Sequence, residues 1–181
     1  MEQVTSPDLQ ILLRRSLTEI LRQGISLLNQ IDDFHYASAE DNSRSGVGGH
    51  FRHCLEFVEC FFAGIESGIV DYDRRARNYR LETERSYAVA EFERMITTIG
   101  VFSYPQGKNQ LLVKPEDAAD EDLWCESSIE RELEFLRSHT IHHFSLVAFK
   151  LRALGIDVPS EFGVAPSTLR FWEQKVYSQA Q

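Results

Sequence analysis

A chain of 181 residues, 43% hydrophobic and 26% charged, suits one ordinary domain with a packed core and excludes an intrinsically disordered reading. Its formal charge of −9 disfavours nucleic acid and anionic membrane as partners, because both require a basic face. No apolar run approaches the ~20 residues of a membrane span, and residues 1–8 carry acids but no apolar leader stretch, so the expectation is a cytoplasmic single domain.

Ser6, Pro7 and Asp8 announce the first helix, with serine as cap, proline in the first turn and an early acid. Over residues 9–31, apolar residues recur at steps of three and four, through Leu9, Leu12, Leu13, Leu17, Ile20, Leu21, Leu27, Leu28 and Ile31. That spacing predicts one long amphipathic helix. Residues 38–49 are polar and glycine-containing and read as a loop. A second helix is predicted over residues 47–69, on Phe51, Cys54, Leu55, Phe57, Val58, Phe61, Phe62 and Ile65.

The charged stretch 71–78 then bridges to a third helix, residues 83–99, whose stripe is Ala88, Val89, Phe92, Met95, Ile96 and Ile99, with Gly100 as its stop. Residues 101–126 read as irregular, with a turn at Tyr104, Pro105, Gln106 and Gly107 and a short extended piece at 110–114. The fourth helix, residues 127–154, opens on a capping box of Ser127 and Glu130 and closes at Gly155. Residues 167–176 add a short terminal helix. Trp124, Phe171 and Trp172 read as packing residues. The fold class expected is all-α: a four-helix bundle with a long irregular connection before the last long helix and a short C-terminal extension, all one domain over residues 1–181.

The three cysteines, Cys54, Cys60 and Cys125, are odd in number and contain no CxxC pair. They support neither a disulfide framework nor a thiolate zinc site, and Cys54 and Cys60 read as small buried hydrophobes.

Five of the six histidines fall in two groups, His50 with His53, and His139 with His142 and His143. His139 and His143 are four residues apart, so both project from one face of the fourth helix and could share one ion. With Ile129 at zero and about 100° per residue, the apolar stripe of Ile129, Leu133, Leu136, Thr140, Val147, Leu151 and Leu154 centres near 10°, His143 falls at roughly 320°, His139 at roughly 280° and His142 near 220°. The inward pair is therefore His139 and His143, with His142 pointing away. On the second helix, phase slightly favours His50 as the buried histidine, and His53 lies further round on the same side. A third imidazole from that helix would make a three-histidine centre with coordination left open. Three imidazoles suit zinc, nickel, iron or copper. The competing reading is that these histidines are hydrogen-bonded core residues without an ion.

The segments 46–56 and 138–144, containing Gly48-Gly49-His50-Phe51-Arg52-His53-Cys54-Leu55-Glu56 and His139-Thr140-Ile141-His142-His143, resemble the DinB-like (DinB/YfiT) superfamily of bacterial metal-binding four-helix bundles. The match is to an uncharacterised subgroup, carried also by Arg131-Glu132-Leu133 and by residues 162–167. The resemblance implies a centre for zinc, nickel or iron made of one histidine on the second helix and a late HxxxH pair. The family pattern places an apolar residue six positions before the second-helix ligand, as Val47 stands before His53. It therefore favours His53, with His139 and His143, and keeps His50 as the alternative. It also implies a small-molecule substrate, a low-molecular-weight thiol as co-substrate and a homodimer through helix faces.

Two further features bear on chemistry. Glu132, seven residues before His139, could orient a ligand or a water, against the plainer reading of a solvated acid in the first turn. Arg74, Arg75 or Arg77 could grip an anionic substrate, but an interhelix salt-bridge cluster is the expectation adopted. Two functions then compete: a metal-dependent transferase, hydrolase or isomerase, and a non-catalytic metal-stabilised stress-response or interaction protein.

Overall fold

The computed structural model describes residues 7–37, 46–103, 109–114 and 123–179. Among them are seven α-helices: α1 (Pro7–Leu28), α2 (Asp33–Ala37), α3 (Val47–Gly64), α4 (Tyr79–Thr83), α5 (Arg85–Val101), α6 (Ile129–Ala153) and α7 (Pro166–Gln179). Strands β1 (Ile69–Val70), β2 (Gln110–Val113) and β3 (Cys125–Ser128) form a small sheet in that order, β1 parallel and β3 antiparallel to β2. The architecture is mostly α, as expected. Helices α1 and α3 each pack against both α5 and α6, and this four-helix arrangement encloses the core.

The stripes anticipated from spacing meet in that core. Leu17, Leu21 and Leu28 of α1, Phe51, Leu55 and Val58 of α3, Phe92 of α5, and Leu133, Val147 and Leu151 of α6 are all fully buried; Phe144, outside the anticipated stripe, joins them, and Leu154, anticipated within it, is exposed. Each such side chain contributes about 1.5–3 kcal/mol by leaving water. Phe51 sits at the centre, its ring 5.2 Å from that of Phe144, 5.7 Å from Phe92 and 6.1 Å from Tyr36. The Tyr36 hydroxyl donates to the Leu81 carbonyl, tying α2 to α4.

Several boundaries differ from the sequence reading. The stripe of α1 does not extend to its start, where Leu9 and Leu12 are exposed. Helix α3 begins at Val47, so Gly48 and Gly49 belong to its first turn and not to a loop. A Cβ on Gly48 would strike the Glu82 carbonyl, and only glycine lets α3 lie this close to α4. Helix α3 ends at Gly64, short of residue 69, because the chain there turns into β1. Helix α5 runs past Gly100 to Val101. Ser127 lies in β3, and the cap of α6 is Ser128, whose hydroxyl accepts from the Arg131 N–H at 3.2 Å. Glu130 completes no capping box and instead accepts from Gln10 Nε2 at 2.7 Å.

The closing glycine of α6 is as expected: Gly155 has φ 79°, and the Ile156 N–H donates to the Leu151 carbonyl at 2.9 Å. The extended piece anticipated at 110–114 is β2. Trp124, Phe171 and Trp172 are not packing residues, since 36%, 60% and 44% of their surfaces are exposed. The Ser6 cap, the turn at 104–107 and most of the loop at 38–49 lie outside the described residues. No described helix is long and apolar enough to cross a membrane.

Candidate metal centre

The pairing of α3 with α6 decides where the histidines meet. His50 and His53 stand one turn apart on α3, His139 and His143 one turn apart on α6, and the two pairs face each other across the interface. His53 Nε2 lies 3.1 Å from His139 Nε2, and His139 Nε2 lies 2.9 Å from His143 Nε2. Ligand atoms of His53, His139 and His143 all fall within 4.8 Å of one another.

Hydrogen bonding alone cannot satisfy this arrangement. A neutral imidazole carries one N–H, so His139 Nε2 can donate to one neighbour or accept from one, and three nitrogens crowded together leave lone pairs opposed. A cation at their centre removes that conflict. Ligands about 2.0–2.1 Å from one ion stand roughly 2.8–3.4 Å apart across 90–109° angles, and the separations of 3.1 and 2.9 Å fall within that span. The residues therefore fit a divalent ion held by three imidazoles.

His50 has a separate position. Its Nδ1 lies 2.9 Å from His143 Nδ1, on the ring edge facing away from His139. If His143 offers Nε2 to an ion, its Nδ1 carries the proton and donates to His50, which fixes the tautomer and the ring plane. His50 is the buried histidine of α3, 8% exposed, and His53 is the one whose ring lies with the α6 pair. His142 is exposed, as its wheel position required.

Burial keeps the cluster neutral. It lowers the pKa of His53 to about 3, of His139 to about 4 and of His143 to about 3, and the neighbouring histidines add repulsion in the same direction. His50 is lowered for the same first reason, with Lys150 and His142 adding to it. Neutral imidazoles are the metal-binding form.

Aromatic rings wall the centre on one side. Phe57 lies 4.5 Å from the His53 ring and 4.3 Å from the His139 ring, and Phe135 stacks on His139 at 5.3 Å. Tyr72, in the one-turn 3-10 helix Tyr72–Arg74, stacks on Phe57 at 4.9 Å. Glu132 holds Tyr72 in place: its carboxylate accepts from the Tyr72 hydroxyl at 2.7 Å and from Ser127 Oγ at 2.5 Å. Glu132 is 6% exposed, so the solvated reading fails, and its bonded partners are Tyr72 and Ser127 and not a histidine. Its influence on the site passes through the ring of Tyr72. Neither Phe57, Phe135 nor Tyr72 was singled out as a site residue from sequence. Phe57 and Phe135 carried only the signal of an aromatic residue one turn from a histidine, which a core residue shares, and Tyr72 carried none.

The arginines divide. Arg74 pairs with Asp71 at 3.4 Å, as a salt-bridge reading requires, and Arg77 takes a left-handed conformation at φ 50°. Arg75 joins no such cluster. Its guanidinium sits over the Phe57 ring, 4.3 Å from the centroid, and its Nε and Nη1 are buried without a hydrogen-bond partner. Each enclosed, unpaired N–H costs about 1–3 kcal/mol. Its charge is felt at both His53 and His139, where it further disfavours protonation. Of the cysteines, Cys54 is fully buried, Cys60 half-buried with its thiol pKa raised by burial, and Cys125 exposed.

No family model matches the chain. A curated relative, FK506-binding protein 5 of Rhizopus delemar, is 35% identical over 104 residues, 56% of this chain and 27% of that protein. The chain thus matches about a quarter of the length of that relative, to which it is similar over that stretch.

Proposed function

We propose that the chain is a DinB-like, divalent-metal-binding bundle and a metal-dependent transferase, hydrolase or isomerase acting on a small molecule, with a low-molecular-weight thiol as co-substrate. The observation that supports this most is the convergence of His53, His139 and His143 from two helices, with no carboxylate or thiolate joining them among the described residues. Three protein ligands are the number that catalytic centres use, whereas structural sites close with four. A bound zinc, nickel or iron ion supplies Lewis acidity toward an oxygen or sulfur of the substrate. The chain's own residues hold the geometry. His50 fixes the His143 ring, while Phe57 and Phe135 fix His139 and keep water off one side. The same reading includes a homodimer through helix faces, checked by light scattering.

The test is consumption of a small thiol such as cysteine with an electrophile such as monobromobimane. It is followed for metal-loaded protein, chelator-treated protein and His139→Ala. Turnover above background is expected for the loaded protein alone. Equal rates in all three would remove the catalytic reading.

A further inference from the structure

Arg75 is the one guanidinium found with enclosed nitrogens that no protein group accepts from, among the described residues. The acids felt together with it at the Cys60 thiol, and Glu132 behind the Tyr72 ring that shares Phe57, are already committed. Glu56 accepts from Arg52 at 3.0 Å and from the Asn78 N–H at 2.6 Å. Asp71 is bonded to Asp73 N–H and paired with Arg74 and Lys114, and Glu132 is held by Tyr72 and Ser127. The contact with Phe57 orients the guanidinium without using an N–H. That same Phe57 ring touches His53 and His139, which places the cation at the edge of the three-histidine centre.

We infer that Arg75 is the anion-recognition residue of this centre, and that its substrate or co-substrate carries a carboxylate. The inference rests on the three-histidine reading and names the substrate class for it. A carboxylate on Arg75 would take up the idle N–H groups and neutralise the charge, leaving the rest of a small molecule over the histidines. One cation suits a singly charged group better than a phosphate dianion, because Arg52, Arg74 and Lys114 are each engaged with acids.

Cobalt-loaded protein provides the readout, since a thiolate reaching the ion changes the cobalt absorption spectrum. The probes are 3-mercaptopropionate and its methyl ester, which share the thiol and differ in the carboxylate. Wild type is expected to bind the acid at least about tenfold more tightly than the ester, the effect of one charge-assisted hydrogen bond. Arg75→Gln is expected to lose that preference while keeping cobalt stoichiometry and ester affinity, and Arg75→Lys to keep part of it. Equal affinity for acid and ester in wild type overturns the inference, as does a preference that survives Arg75→Gln. A protein that takes up no cobalt overturns the centre itself, which is a different outcome from a centre that binds both thiols alike.

Discussion

His50 and His143 face each other Nδ1 to Nδ1 at 2.9 Å, one on α3 and one on α6, and this contact joins the two helices behind the three-histidine cluster. Under the proposed three-histidine reading, His50 acts as a positioning residue and not as a ligand. His50→Ala is expected to retain one metal ion per chain but to bind it about 10–100-fold more weakly, the usual cost of losing a partner that orients a ligand. His142→Ala, altering an exposed side chain, is expected to bind as wild type does. Competition titration against a chromophoric chelator reads both. A His50→Ala affinity equal to wild type would contradict the assigned role.

Glu132 and Tyr72 form the buried brace beneath Phe57. Tyr72→Phe keeps the ring but leaves part of the Glu132 carboxylate unpaired, so a loss of about 1–3 kcal/mol is expected in urea denaturation. Metal affinity should change less than stability, since the ring that stacks on Phe57 remains. An unchanged unfolding midpoint would show that the bond contributes nothing.

Much of this was legible in advance. Periodicity placed the stripes of α3, α5 and α6 because each buries one continuous face, and Leu133, Thr140, Val147 and Leu151 are buried as their phase required. The four-residue step of His139 and His143 marked the α6 half of the histidine cluster. What periodicity could not supply was which α3 histidine faces it, because His50 and His53 both lie on the inner side and the packing of α3 against α6 decides. Resemblance chose His53 where phase leaned to His50, and the two occupy different places in one cluster. The sheet escaped notice since strands of two to four residues carry almost no alternation. Arg75 escaped for another reason: in a run of three arginines and two aspartates, pairing is the natural expectation, and only the folded chain shows that Arg74 takes Asp71 and Arg75 turns onto Phe57.

Gly48 makes a sharper test of the fold. Its missing Cβ is filled by the Glu82 carbonyl of α4, so Gly48→Ala must push α3 and α4 apart. A loss of about 1–3 kcal/mol is expected from this overpacking, although alanine otherwise favours a helix over glycine. Thermal or urea unfolding decides, and a stabilised variant would contradict the close approach.

Acid should destabilise the metal-free protein. The folded state holds His53, His139 and His143 at pKa values of about 3, about 4 and about 3, against an ordinary value of 6.5. Below pH 6.5 the unfolded chain gains protons that the folded chain refuses, so stability falls as pH drops toward about 4. The urea midpoint measured with chelator at pH 7.5, 6 and 5 is expected to decline steadily. His143→Gln should flatten the decline, and a wild-type midpoint that is level across this window would contradict the half-buried, neutral cluster.

The most direct measurement is metal content by elemental analysis, on protein stripped with chelator, reloaded with zinc, nickel or iron and freed of excess ion. Close to one ion per chain is expected for wild type, and none above trace for His53→Ala, His139→Ala or His143→Ala. Wild-type protein that retains no ion, or three variants that retain as much as wild type, would contradict the centre.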